Sequence, residues 1–275
     1  MIKFFRHIRR ALLSENPPER DGSVRAGKFS KYLLYAIGEI ILVVIGILIA
    51  LQINNWNDLR KERKKEIAFL KRIKEDLDFD QNYLRLNREF YLDVFSAGNL
   101  VLLNVEGAQI EPNSSWDILM SYFHASQIWP IISISSTFDE LKSSGELSLI
   151  QNIDLRNDLS FYHDGGLRRY SETIGINPPY RKMVRGLIPS TIQNYMWDNC
   201  HVTEGDIQIL KRCKGEITEN EALAIVNDLG KNLTLLEELR FYMSSIKIGL
   251  RALEEQEKLC QTLLKEVALE LENYD

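Results

Sequence analysis

The longest apolar segment of the chain runs from Tyr32 to Ile53 and carries one charged residue, Glu39. A helix of these 22 residues would rise about 33 Å, enough to cross the roughly 30 Å hydrocarbon core of a bilayer. Between Ile40 and Leu51 every helical face is apolar, whereas a helix in a soluble core usually keeps a polar side. Residues suited to a membrane interface flank the segment, namely Lys28, Lys31, Tyr32 and Tyr35 before it and Asn54, Asn55 and Trp56 after it. The pattern predicts one transmembrane helix over residues 32–56.

Beyond this span, apolar residues follow the heptad spacing of helices that pack along their length. One series lies within residues 57–104, at Leu70, Leu77, Leu84 and Tyr91. A second lies within residues 217–275 and is interrupted only by Glu257; it comprises Leu229, Leu236, Met243, Leu250, Leu264 and Leu271, with Leu239, Ile246, Leu253, Cys260 and Val267 three positions later. Thr218 and Glu221 have the spacing of a helix-capping box. We therefore expect two long helices, 57–104 and 217–275.

The charges of these two regions are complementary. The stretch Arg60–Lys74 holds eight Lys/Arg, whereas residues 219–275 hold twelve Asp/Glu against six Lys/Arg. Antiparallel, coiled-coil-like packing would lay Arg60–Lys74 beside the acidic end Glu254–Asp275, with Leu70 close to Leu264. A parallel homodimer is the alternative, but it would bring the two basic stretches together. The charge pattern favours the antiparallel hairpin.

The intervening residues, 105–216, lack a heptad pattern and are divided by proline and glycine, which predicts a set of shorter helices. Ser114 and Asp117 are spaced to cap the first of them. No stretch alternates convincingly with the two-residue period of a strand, and Ile131–Ile134 is the only strand candidate. The expected fold is therefore all-α.

The first 31 residues form a basic head. They contain eight Lys/Arg and three Asp/Glu, so they carry +5 while the rest of the chain carries −10. Phe4 or Phe5 shares one helical face with Ile8 and Leu12, which predicts a short amphipathic helix against anionic lipid, followed by a flexible linker. The acidic main domain argues against a nucleic-acid partner. Because the apolar run is too long and begins too late for a cleavable signal peptide, we interpret it as a signal anchor.

The orientation of the span depends on basic residues near its two ends. The head holds eight Lys/Arg, and Arg60–Lys74 on the other side holds eight more. We expect the N-terminus to be cytoplasmic, since a partner helix can neutralise the second cluster. The extramembrane domain, residues 57–275, would then lie in the periplasm.

The run KYLLYAIGEIILVVIGILIALQINNWND, with MIKFFRHIRR before it and FDELKSSGELSLIQNIDLRNDLSFY after it, resembles an uncharacterised family of bacterial single-pass membrane proteins. The resemblance covers the first 75 residues and about residues 136–163. It implies a location in the bacterial inner membrane, and it implies no activity.

Motifs of catalysis are missing from the sequence: it has no phosphate-binding loop, nucleophile elbow, His-Glu-x-x-His motif or dinucleotide fingerprint. The four histidines are scattered, and His163-Asp164 precedes two glycines, which is more typical of a solvated helix end than of a catalytic base. We expect no enzyme activity, no cofactor and no metal. The expected function is that of a membrane-anchored scaffold, sensor or envelope-complex subunit. A membrane-tethered enzyme or metal-binding domain, with an unrecognised site in residues 105–216, is the alternative.

The cysteines offer one candidate cross-link. Cys200 and Cys213 bracket a polar loop, and a disulfide between them is expected if the domain lies outside the cytoplasm. A zinc site built from Cys200, His201 and Cys213 would lack a fourth ligand and the usual CxxC spacing. Cys260 falls on the heptad core, which predicts a buried thiol.

Glu39 is the unusual residue of the span, because a carboxylate at the membrane centre costs about 2.5–3.5 kcal/mol on insertion scales. Tyr35, Glu39, Gly46, Ala50 and Asn54 lie along one helical line, and Gly46-x-x-x-Ala50 is a pair of small residues that permits close helix contact. The stripe predicts association with a second copy or with a partner membrane protein. Two alternatives stay open: Glu39 is protonated or reaches the headgroup layer, or it takes part in proton or ion transfer.

Overall fold

The computed structural model describes residues 24–107, 114–166, 174, 176–204 and 207–273. The chain divides into two compact units, Met1–Lys61 and Glu62–Asp275. The amphipathic helix predicted within the first residues of the basic head lies outside the described residues.

The longest element is helix α1 (Val24–Val105), which includes both the predicted span and the predicted helix 57–104. Its 82 residues contain no proline, the residue that most strongly interrupts a helix interior. The prediction of helix over 57–104 is confirmed, and the two predicted segments belong to one continuous element.

The remaining elements are shorter, apart from the last. They are α2 (Ser115–His124), α3 (Ser136–Ser143), a 3₁₀ turn (Leu147–Leu149), α4 (Ile153–Phe161), a π-helical turn (Tyr162–Gly166), α5 (Pro179–Leu187), α6 (Ser190–Asn199), β1 (His201–Glu204), β2 (Ile207–Leu210), α7 (Glu219–Gly230) and α8 (Leu233–Glu272). The fold is helical in most of its described residues, as predicted.

Both capping boxes read from the sequence are present. The Ser114 hydroxyl accepts a hydrogen bond from the Asp117 backbone N–H at 3.1 Å, and the Asp117 carboxylate accepts one from the Ser114 N–H. Thr218 and Glu221 make the same reciprocal pair at the start of α7. Each box satisfies backbone donors that have no partner inside the helix.

The prediction of one helix over residues 217–275 was wrong, because α7 ends at Gly230 and α8 begins at Leu233. Asn232 lies between them in an extended conformation, and its side-chain oxygen accepts a hydrogen bond from the Leu235 N–H at 3.1 Å. Asparagine is among the residues that best cap a helix start, and glycine is tolerated at a helix end. Gly249, by contrast, lies inside α8 without interrupting it.

The strand prediction was also wrong. Ile131–Ile134 has no regular secondary structure, and the Ile134 N–H donates to the Asp80 carboxylate at 2.8 Å instead of to a neighbouring strand. The strands of the described chain are β1 and β2, which pair antiparallel with His201 opposite Leu210 and Glu204 opposite Ile207. This hairpin is a small exception to the all-α prediction.

Within the second unit, α1 and α8 contact each other in antiparallel directions. Three contacts join them: Leu77 with Cys260, Arg88 with Glu257, and Gly98 with Met243. The residue number rises along α1 as it falls along α8, so the two helices are antiparallel. The predicted apolar stripes face the core, since Leu70, Leu77, Leu84, Tyr91, Leu239, Ile246, Leu253, Cys260 and Val267 are all buried. The heptad spacing therefore identified the buried faces of both helices correctly.

The prediction that opposite charges pair along the two antiparallel helices is only partly right. Lys65 pairs with Glu146 at 2.8 Å, and Arg72 pairs with Glu140 at 2.6 Å, so these two basic residues contact the shorter-helix region and not the acidic end of α8. An ion pair that joins α1 to α8, between Arg88 and Glu257, lies outside the predicted basic stretch.

Candidate membrane anchor and associated sites

The apolar segment of α1 is exposed wherever the structure describes its side chains. Every side chain from residue 36 to residue 61 is exposed, including Ile40 at 62% and Leu48 at 58%. Within the part of the chain that the structure describes, one helix is long and apolar enough to cross a membrane, and this segment supplies its apolar character. A surface this apolar is unusual on a protein in water, because large exposed apolar patches mark sites that contact another protein or a membrane.

The predicted contact stripe lies on this exposed surface. Glu39, Gly46 and Ala50 are all exposed, and a Cβ added at Gly46 would meet no atom within 4 Å. Among the described residues nothing packs on the stripe. A neighbouring helix could therefore pack there without breaking a contact among these residues.

The predicted cysteine pair is joined as a disulfide in the structure. The Cα atoms of Cys200 and Cys213 are 5.0 Å apart. Helix α2 holds the backbone on both sides of the bridge: the Trp116 indole N–H donates to the Cys213 carbonyl at 2.9 Å, and His124 Nε2 lies 3.1 Å from the Cys200 carbonyl oxygen. Cys260 is buried and unbridged.

The histidines near the bridge have structural surroundings. Burial, helped by the nearby His201, lowers the pKa of His124 to about 4, while the hydrogen bond to the Cys200 carbonyl opposes the shift. His201 packs edge-on against the Trp197 ring, with ring centres 4.6 Å apart. In the described ranges, no group of three or more His, Cys, Asp or Glu residues has the arrangement needed to hold a metal ion.

His163 is not the solvated helix end that the sequence predicted. Its ring stacks on Phe138 with centres 4.7 Å apart and meets the Tyr162 ring edge-on at 5.0 Å. Burial lowers its pKa, because the charged imidazolium loses solvation there. Asp164 does lie in solvent, where it pairs with Lys142 at 2.7 Å.

A buried carboxylate, Asp80, is a feature that the sequence analysis missed. It is 1% exposed and accepts hydrogen bonds from the Ser133 hydroxyl, the Ile134 N–H at 2.8 Å and the Tyr162 hydroxyl at 2.9 Å. Burial raises its pKa, and the three donors oppose that shift. The Asp80 network ties α1 to the segment before α3 and to the π-helical turn, so we interpret it as a structural tether.

Comparison with known families adds one match. A family of unknown function (DUF6090) matches residues 39–101, which is less than a quarter of the chain. The similarity thus covers most of the apolar segment and the first part of the second unit, while the stretch 136–163 lies outside it. No curated protein and no solved structure matches the chain. The match agrees with the expected resemblance to an uncharacterised family, and it does not by itself show a membrane location.

Proposed function

We propose that this protein is anchored in the bacterial inner membrane by a single helix over residues 32–56. Its helical unit would act without catalysis, as a scaffold, a sensor or a subunit of an envelope complex. The observation that carries the proposal is the apolar segment between residues 36 and 53, which is exposed on every face. Burying one large apolar side chain contributes roughly 1.5–3 kcal/mol, so hydrocarbon is a far better surrounding than water for this segment.

The proposed orientation places the N-terminus in the cytoplasm and the unit from Glu62 onward in the periplasm. Two features support it. The head of 31 residues carries a net +5, which favours retention on the cytoplasmic side. The Cys200–Cys213 disulfide suits an oxidising compartment.

Reporter fusions test the orientation in living cells. Alkaline phosphatase fused after Asp275 should be active and a fluorescent protein at the same position should stay dark. The same two reporters fused ahead of Met1 provide the matched control and should give the reverse result. A fluorescent C-terminal fusion with inactive phosphatase would refute the periplasmic assignment.

We further propose that Glu39, Gly46 and Ala50 form a contact between two membrane helices. The support is their common helical line and the exposed, uncontacted surface at Gly46. Small residues let helix backbones approach closely, and interhelical hydrogen bonds in membranes average only about 0.6 kcal/mol. The glycine should therefore matter more than the carboxylate.

Energy transfer between differently labelled full-length copies in membranes tests this contact. Gly46→Leu should weaken association, while Val44→Leu, on the opposite face of the helix at about 100° per residue, should not. Glu39→Gln should keep most of the signal, because an amide still donates and accepts hydrogen bonds, whereas Glu39→Leu should lose part of it. Equal signals from all four variants would mean that the stripe faces lipid.

A further inference from the structure

Two arginines on α5, one helical turn apart, converge on a single residue. Arg181 Nη1 donates to the Ser126 carbonyl at 2.5 Å, and Arg185 Nε donates to the Ser126 hydroxyl at 3.1 Å. Arg185 Nη2 also donates to the Gln127 side-chain oxygen at 3.0 Å. Both guanidinium groups are half-buried beside the segment that follows α2. The two positive charges are thus held close together.

Aromatic rings fix the position of Arg185. Its guanidinium carbon lies 5.0 Å from the centre of the Phe123 ring and 4.9 Å from that of Trp197, and the two rings are 5.3 Å apart. A guanidinium in contact with aromatic faces gains cation–π energy and loses side-chain freedom. Arg185 is therefore pre-positioned before any ligand arrives.

The two arginines lack a negative counterpart among the described residues. All their hydrogen-bond acceptors are neutral, and no carboxylate in that part of the chain lies within ion-pair distance of either. Burial lowers the pKa of Arg181, and burial together with the adjacent Arg181 lowers the pKa of Arg185 to about 10. Other arginines of the chain have carboxylate partners: Arg63 with Glu66, Arg72 with Glu140, Arg85 with Glu89, and Arg88 with Glu257.

A buried donor without an acceptor lies beside the pair. Gln127 is 1% exposed, and its amide nitrogen has no hydrogen-bond partner among the described residues, although its oxygen accepts from Arg185. The two atoms belong to the same amide group, so the unused donor lies next to the Arg185 guanidinium. A buried donor left unpaired is destabilising, and an acceptor oxygen at this place would remove that cost.

The end of α2 accounts for only part of this charge. The carbonyl end of a helix carries about half a negative charge, and it favours cations in the last turn. Two guanidinium groups carry two positive charges, four times the partial negative charge of the helix end. Most of the positive charge of the two arginines is therefore left without a negative partner among the described residues.

We propose that Arg181, Arg185 and Gln127 form a binding site for a small oxyanion, a phosphate or carboxylate group. The planar guanidinium fork matches the spacing of oxygens in these groups and binds them through paired, charge-assisted hydrogen bonds. The site lies entirely within the second unit and does not depend on membrane anchoring.

The test measures the thermal midpoint of the full-length protein in neutral detergent while sodium phosphate or sodium acetate replaces sodium chloride at constant ionic strength. A second arm adds short-chain phosphatidylglycerol, with phosphatidylcholine as its neutral counterpart, to distinguish a lipid headgroup from a free anion. The wild-type midpoint should rise with at least one of these anions. A midpoint that responds to none of them overturns the proposal.

Variants locate the response. Arg181→Gln and Arg185→Gln should each weaken the apparent affinity at least tenfold, whereas Lys182→Gln, which removes an exposed charge from the same helix, should leave it unchanged. Gln127→Glu gives an independent readout in a folded protein, because it still accepts from Arg185 and adds the missing negative charge. It should raise the midpoint without added anion and abolish the response. An unchanged response in Gln127→Glu, or an equal loss in Lys182→Gln, overturns the site.

Discussion

Arg88 of α1 and Glu257 of α8 form an ion pair 2.9 Å long, and Glu257 is the residue that interrupts the heptad series of α8. The side chains are 32% and 14% exposed, so the pair is largely removed from solvent. A charge in an apolar stripe is thus explained by a partner on the neighbouring helix. Pairs of this kind fix the register of two packed helices, because any slip leaves a charge buried alone.

Reversing one charge of the Arg88–Glu257 pair should therefore destabilise the packing of α1 against α8. We expect Arg88→Glu to lower the free energy of unfolding by about 2 kcal/mol, since it puts two carboxylates together in a half-buried place. Adding Glu257→Arg should recover at least half of the loss. Arg85→Glu is the control, because the Arg85–Glu89 pair is exposed and worth about 0.5 kcal/mol at most. Denaturant unfolding measures all four proteins, and no recovery in the double variant would contradict this register.

Gly249 and Gly186 should respond to alanine with opposite signs. A Cβ at Gly249 would lie 2.6 Å and 2.7 Å from two side-chain carbons of the buried Ile174, whereas a Cβ at Gly186 would meet nothing within 4 Å. Crowding a packed core costs about 1–3 kcal/mol, more than the roughly 1 kcal/mol that alanine gains in a helix. Thermal midpoints should fall for Gly249→Ala and rise slightly for Gly186→Ala. A rise in both would show that Ile174 moves aside freely.

The stability of the protein should depend on His124 between pH 4 and pH 7. Its pKa is about 4 in the fold against an ordinary 6.5, so the unfolded chain takes up the proton first as the pH falls. The stabilisation from keeping His124 neutral is complete above about pH 6.5 and is lost towards pH 4; it amounts to about 3 kcal/mol.

His124→Gln isolates that contribution, because glutamine can still donate to the Cys200 carbonyl but does not titrate. Asp80 and His163 also have shifted pKa values, but they are shared by both proteins and cancel in the comparison. Unfolding free energies measured across this pH range should fall more steeply for the wild type. Parallel curves for the wild type and His124→Gln would contradict the assignment of this pH dependence to His124.

Thiol counting should show one free cysteine per chain. The sequence holds three cysteines, and the Cys200–Cys213 bridge leaves only Cys260 free. In the folded protein Cys260 should react slowly, because it is buried and burial raises its pKa to about 12. Protein purified and unfolded without reductant should therefore expose one reactive thiol per chain, and three would mean that the bridge does not form. Opening it should cost about 3 kcal/mol.

Features set by neighbouring residues were predictable from the sequence. The capping boxes at Ser114 and Thr218 depend on residues three positions away, and the heptad stripes depend only on spacing along one helix. The break before Leu233 was missed because the apolar stripe continues across it, although Asn232 directly after Gly230 and Lys231 was a usable signal.

The strand hairpin was missed for a related reason. The segment HVTEGDIQIL has two short β-favouring runs around a glycine-aspartate pair, a recognised turn signal, but each run spans only four residues. A pattern this short is hard to separate from chance.

The polar sites could not be predicted at all. Tyr162 and Asp80 are 82 positions apart in the sequence, and Arg181 meets a residue 55 positions before it. Their contacts depend on how helices pack, which no local pattern records. The same holds for Arg185, whose lack of a carboxylate partner among the described residues is visible only in the folded structure.

Helix α2 holds both ends of the disulfide segment through the Trp116 and His124 side chains, and these hydrogen bonds do not require the sulfur–sulfur bond. Reduction should then leave the two thiols facing each other in an almost unchanged fold, because the lost stabilisation comes from the unfolded chain gaining freedom. The bond would close again without a search for its partner. The second unit could thus fold first and form the disulfide afterwards. Reduction of the disulfide would lower the free energy of unfolding without changing the fold.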